Sequence, residues 1–184
     1  MRNHLRKTVA GCVLTVVGVA HVASAQAPAP APPVIANPTY ISIPLEITVN
    51  RPAAEVWKRV GKFCDISEWL RVPCTITAGK DGEFGAVRSV ASEVLVGKSE
   101  LSYTYTQPVR VGQAYILYHG TVEARPLTAT TSKLIYTLVF DNSTLADDAV
   151  REKDKAQRAA RFMQALENMK TLAEGGTLPP SPAR

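Results

Sequence analysis

The stretch from Leu145 to Glu174 constrains the fold more than any other part of the chain. Apolar residues at Val150, Ala156, Ala159, Ala160, Phe162, Met163, Leu166, Met169, Leu172 and Ala173 recur at helical spacing, and Arg158, Arg161, Glu167 and Lys170 take the other side. Thr144, with Asp147 three residues on, predicts an N-cap, and Gly175-Gly176 followed by Pro179 predicts the stop. A helix over this whole stretch would span roughly 45 Å, so Leu145–Asp154 reads either as its first turns or as a separate turn. One apolar stripe cannot be buried alone. Nearly everything between Tyr40 and Asp141 reads as strand, so the expected fold is α+β. Six to seven antiparallel strands would form a curved sheet around a long C-terminal helix, with two short helices after the first strand.

Both ends stand apart from this domain. Residues 1–25 carry Arg2, Arg6 and Lys7, then an apolar run from Val9 to Ala20, and close on Ala23-Ser24-Ala25, a small-x-small pattern that precedes a signal-peptidase cut. The run is shorter than the about 20 residues a spanning helix needs. This predicts a cleaved signal peptide, no stable membrane anchor afterwards, and a periplasmic or secreted location. Residues 26–38 open with QAPAPAPP, a stiff Ala/Pro-rich linker, and residues 175–184 read as a flexible tail. The 21 basic and 16 acidic residues give +5; losing the three basic residues of the signal leaves +2. No basic patch is interleaved with aromatics, so nucleic acid is not an expected partner. Cys64 and Cys74 are the cysteines that remain, and an even pair in an exported protein predicts a disulfide.

Ile41, Ile43, Leu45, Ile47 and Val49 alternate with Ser42, Glu46 and Thr48, which predicts a half-buried strand over Tyr40–Val49, with Pro44 at an edge or bulge. Pro52, then Val56, Trp57, Val60 and Phe63, switch the period to a helix; a second short helix is expected over Asp65–Leu70. Parity in the later strands turns three sets inward: Leu101, Tyr103 and Tyr105; Ile116, Tyr118, Val122 and Ala124; Leu134, Tyr136, Leu138 and Phe140. The chain between Arg88 and Glu93 is short for a hairpin, so one long strand or two could run there.

The segment Ile43–Leu70, IPLEITVNRPAAEVWKRVGKFCDISEWL, resembles the opening of the START-like superfamily, also called SRPBCC, which includes birch-pollen-allergen-type and polyketide cyclase/dehydrase-like proteins. The shared features are a strand reading I-x-V, a Pro, Val-Trp in the first helix, then a Phe and a Trp closing the second. Gly85-Ala86-Val87-Arg88 and Tyr103-x-Tyr105 are similar to later strands of that superfamily, and the resemblance runs over roughly Tyr40–Glu174. It implies a helix-grip, START-like ligand-binding domain over 39–174, with a cavity between sheet and long helix. The expected lining is Tyr103, Tyr105, Tyr118, Tyr136, Arg88, Phe140, Ala160 and Met163. Ala156, Ala159 and Ala160 would leave space, and the phenols would give polar handles among apolar rings.

The residues themselves carry no strong catalytic motif: no glycine-rich phosphate loop, no nucleophile elbow, and no second histidine beside His119 once the signal is removed. No cofactor or metal is expected. Arg88 and Glu93 read as exposed or salt-bridged unless their strand turns them inward, and Asp65 and Glu68 as helix-capping rather than an acid–base pair. The expected function is binding a small hydrophobic or lipid-like molecule. A cyclase or dehydratase, and an envelope interaction module, are the alternatives. An enzyme would require a pocket acid or base with a shifted pKa.

Export is the first prediction. Protein recovered from the envelope or the medium should begin at Gln26 on N-terminal sequencing, and retention of Met1 would refute it.

Overall fold

Residues 35–180 are described in a computed structural model; the expected signal peptide and residues 26–34 of the linker lie outside them. The alternation read from the sequence produces β1 (Tyr40–Val49), with the expected bounds. Two short helices follow, α1 (Ala53–Val60) and α2 (Ile66–Trp69). Six strands then run in succession: β2 (Ile76–Ala78), β3 (Val87–Arg88), β4 (Glu93–Ser99), β5 (Ser102–Thr106), β6 (His119–Pro126) and β7 (Ser132–Asp141). The closing helix is α3 (Asp148–Ala173).

The strands form one seven-stranded antiparallel sheet in the order β1-β7-β6-β5-β4-β3-β2, a meander whose first strand returns to pair with the last. Pro44 lies on β1 at the sheet edge, where its missing N–H interrupts no ladder. A register shift between Leu95 and Gly97 puts a bulge in β4, which adds bend and twist to the sheet. Strand parity holds as read: Tyr103, Tyr105, Val122, Ala124, Leu134, Tyr136, Leu138 and Phe140 are all buried. The span from Arg88 to Glu93 is a hairpin, not one long strand. Arg88 on β3 faces Glu93 on β4 across a four-residue turn in which Ala91 and Ser92 adopt positive φ.

Helix α3 divides into two unlike halves. Its buried residues are Phe162, Ala165, Leu166, Met169 and Leu172, all in the C-terminal half. That half is also pinned by polar contacts: Asn168 Nδ2 donates to the Trp69 carbonyl, Lys170 Nζ to the Thr48 carbonyl, and Glu174 Oε1 accepts from the Asn50 amide. The N-terminal half has no fully buried residue, and Val150, Ala156 and Ala160 are exposed. The helix begins at Asp148 with Asp147 as N-cap, its carboxylate accepting from the Val150 amide at 2.9 Å, so Leu145–Asp147 precede it and Thr144 is not the cap. Arg151 pairs with Asp148 and Arg158 with Asp154 along the outer face of the helix.

Cys64 and Cys74 form a disulfide, tying the turn before α2 to the approach to β2. The segment after α3, read as a flexible tail from residue 175, makes contacts as far as Pro179: Leu178 packs on the core and the Pro179 carbonyl accepts from Arg71.

Gly120 tests how closely the sheet and its aromatic layer fit. It lies directly opposite Tyr105 in the β5–β6 ladder, and a Cβ there would come within 2.3 Å of the Tyr105 ring. Gly120→Ala should therefore displace Tyr105 and destabilise the domain by about 1–3 kcal/mol, the usual range for overpacking. Urea unfolding of the variant measures this; unchanged stability would mean the ring moves aside freely.

Candidate functional site

The β3–β4 turn gives the interior its charge. Because Arg88 and Glu93 are paired directly across the hairpin, both side chains leave the same face of the sheet, and that face is the inner one. Arg88 has no exposed surface and Glu93 is 4% exposed. The guanidinium reaches the carboxylate through Nε at 2.8 Å and Nη2 at 2.6 Å, and its Nη1 donates to the Phe63 carbonyl at 2.6 Å. Gln107 Nε2 donates to the second carboxylate oxygen at 3.2 Å. Burial raises the Glu93 pKa, with Arg88 opposing that rise. Burial also works against the charge on Arg88, but the oxygens of Tyr103, Glu93, Tyr136 and Tyr105 outweigh it, and the net shift is upward.

Aromatic rings enclose this pair. The Arg88 guanidinium lies 4.3 Å from the Phe63 ring centre, 4.6 Å from Tyr105 and 5.9 Å from Tyr103. Tyr105 and Tyr136 share a hydroxyl–hydroxyl hydrogen bond of 2.6 Å. Tyr118 stacks on Phe140, whose other contact is the Arg158 guanidinium at 4.4 Å, and Phe162 from α3 meets Tyr136 at 4.7 Å. The hydroxyl of Tyr103 has no hydrogen-bond partner among the described residues. Arg88 opposes the upward push that burial exerts on the Tyr103 pKa, first through its charge and then as a side-chain neighbour of the hydroxyl. Burial raises Tyr105, Tyr118 and Tyr136 as well, so all four phenols hold their protons more firmly than in water.

Of the residues expected to line a cavity, Tyr103, Tyr105, Tyr118, Tyr136, Arg88 and Phe140 come together on the inner face. Met163 is partly buried against the same core. Ala160 does not join them: it is exposed, two residues and about 200° around the helix from Phe162. The phase of α3 is set by Phe162, Leu166 and Met169, whose burial gains far exceed what an alanine contributes. Beneath α3 stand the rings of Tyr136, which meets Phe162, and Phe140, which meets Arg158. Glu93, Gln107 and Phe63 belong to the site and were not in the expected lining; the signal for Glu93 and Arg88 was a pair of charges within an apolar strand context. His119 stays outside, its Nδ1 on the Leu117 carbonyl, and no group of metal-ligating residues occurs among the described residues. Asp65 accepts from the Lys62 amide and Glu68 pairs with Arg59, so neither serves the interior.

The ion pair makes a definite energetic prediction. Arg88→Met should cost about 3–5 kcal/mol by stranding the Glu93 carboxylate, whereas Arg88→Met combined with Glu93→Leu should recover most of that loss. Chemical denaturation of the single and double variants checks it; a double variant as unstable as the single would show that the pair itself holds the fold.

The sequence matches no family model and no curated protein. Solved structures do match. A protein from Thermobifida fusca solved in solution aligns at a TM-score of 0.59 and 20% identity, over 75% of this chain and 97% of that one. Zhui aromatase/cyclase from Streptomyces sp. R1128 aligns at 0.56 and 19%, over 76% of this chain and all of its own. Truncated norcoclaurine synthase from Thalictrum flavum aligns at 0.53 and 11%, over 76% and 97%. These alignments show that the chain shares their fold: a helix-grip arrangement, here seven antiparallel strands against one long C-terminal helix with two short helices after the first strand.

Proposed function

We propose that the protein is exported and binds a small, mostly apolar molecule bearing one or two oxygens, held between the sheet and α3. The observation that carries this reading is a charged pair and an unpartnered hydroxyl set inside an aromatic shell. A core selected for stability alone gains little from a buried ion pair, and apolar residues of like volume commonly serve as well or better. Polar groups fixed among rings are the usual construction of a small-molecule site: desolvation of the ligand drives binding and the few polar atoms orient it. The unburied first half of α3, resting on Phe140 through Arg158, is the cover with least packing to lose on opening. The Cys64–Cys74 bond suits a periplasmic or secreted location.

Catalysis is the second reading. Two of the proteins that share the fold are named as enzymes, an aromatase/cyclase and a synthase, and burial lifts the Glu93 carboxyl in the direction of a general acid. Against it, burial shifts all four phenols upward, so they hold their protons and serve as hydrogen-bond donors rather than as proton-transfer groups.

Mass spectrometry of small molecules extracted from the purified mature protein tests the binding reading, with one copurifying compound expected at near-equal stoichiometry. The Arg88→Met, Glu93→Leu double variant should bind that compound about tenfold or more weakly, the loss of one good charged hydrogen bond. A parent that carries nothing, or a double variant that retains the compound fully, would overturn the assignment. Glu93→Gln separates the readings: a binder keeps its ligand, while an enzyme that uses the carboxyl loses turnover.

A further inference from the structure

The groove between α2 and α3 holds a hollow of about 470 Å³, within the usual range for small-molecule sites. One wall is the side of α3 that carries Arg161, Gln164 and Asn168, which recur at helical spacing. Leu70 and Arg71, just past α2, make the other wall, and Pro179 and Pro180 of the tail complete it. Both walls are held in place. Asn168 Nδ2 donates to the Trp69 carbonyl at 2.9 Å, and Arg71 Nη2 donates to the Pro179 carbonyl at 2.5 Å.

The charge of this lining is one-sided. Two arginines line the hollow, and no carboxylate among the described residues does. Hollows elsewhere on the surface carry both signs: beside the C-terminus of α1, Lys62 and Lys98 are balanced by Asp81 and Glu100, and next to Thr177 and Leu178, Arg59 is paired with Glu68. Arg161 is exposed, its guanidinium lies 5.9 Å from the Phe162 ring centre, and it enters no ion pair among the described residues. A guanidinium so placed keeps its in-plane donors for a carboxylate. Three residues on, Gln164 is exposed too, and its Nε2 reaches Asn168 Oδ1 at 3.4 Å, a bond long enough to exchange for a better one. Leu70, Pro179 and Pro180 add apolar surface beside these donors. Each of these groups is at least partly exposed, so a ligand meets them without disturbing the core.

We infer that this hollow is a binding site for a small organic acid with an apolar body. The carboxylate takes the Arg161 guanidinium, with the Gln164 amide on its second oxygen, and the body lies against Leu70 and the two prolines. Arg71, engaged with the tail, contributes positive charge. This site is separate from the interior that holds Arg88 and Glu93 and stands whether or not a ligand binds there.

The test follows isotope-labelled mature protein by amide NMR during titration with naphthoate and with its neutral amide, which share one ring system and differ by a negative charge. Saturable shifts are expected at the Gln164 side-chain amide and at the Leu70 and Arg71 backbone amides. The neutral ligand should bind at least about tenfold more weakly, the effect of one charged hydrogen bond. Arg161→Gln should remove that difference. Gln164→Trp, which fills the hollow from an exposed position, should abolish binding of both ligands with the melting temperature unchanged. Lys153→Gln removes an exposed cation from the first half of α3, outside the hollow, and should change nothing. A parent that binds no naphthoate, a neutral ligand bound as tightly as the acid, or a preference that survives Arg161→Gln overturns the site. So does a preference lost equally in Lys153→Gln, which would mark general attraction to positive charge. Shifts confined to Glu93, Tyr118 and Phe140 would place naphthoate in the interior, sinking this site while sparing the reading of that interior.

Discussion

The Arg88–Glu93 pair is the constraint around which the rest of the interior is arranged. A guanidinium with no exposed surface must have its charge and its donors answered. The hairpin supplies the carboxylate, the connection between α1 and α2 supplies the Phe63 carbonyl, and β5 supplies two ring faces. These groups come from three separate parts of the chain. The disulfide at Cys64, next to Phe63, adds a covalent tie beside one of the three. The pair thus locks hairpin, helix connection and central strand to one another, and the Tyr105 ring lies over the guanidinium with its hydroxyl bonded to that of Tyr136.

That dependence also explains the aromatic layer. Tyrosine is a poor choice for a purely apolar core because its hydroxyl needs a partner. Here the ring faces of Tyr103 and Tyr105 lie over a buried guanidinium, and cation–π attraction gives the aromatic layer a reason beyond area. Tyr105 further requires Gly120 opposite it, since any side chain there would occupy the same volume. One buried charge therefore has consequences reaching to the choice of a glycine two strands away from the hairpin.

Much of this architecture was legible in the sequence. Strict alternation gave β1 its bounds, because an edge strand with one wet face writes its parity openly. Parity placed the tyrosines inward for the same reason. Counting the two cysteines outside the expected signal peptide was enough to pair Cys64 with Cys74. The β3–β4 hairpin was not readable: its turn puts Ala91 and Ser92 at positive φ, where glycine or asparagine would have announced it. Without that turn, neither the pairing of Arg88 with Glu93 nor their shared face follows. Ala160 misled because alanine is compatible with either side of a helix, so a stripe drawn through alanines carries no phase of its own.

The division of α3 has a mechanical consequence. Contacts at Phe162, Leu166 and Met169, with the bonds to Thr48, Asn50 and Trp69, clamp one end of a rigid rod. The 14 residues from Asp148 to Arg161 project beyond that clamp, a free arm of about 21 Å. Tilting the rod by about 10° about Phe162 would lift its tip by about 4 Å. Phe162 is the fulcrum, and α3 is a lever whose fully buried residues all lie at or behind it. Lifting the arm separates Arg158 from Phe140 and draws Ala159 off the edge of the core, while the fully buried residues of α3 stay at or behind the pivot.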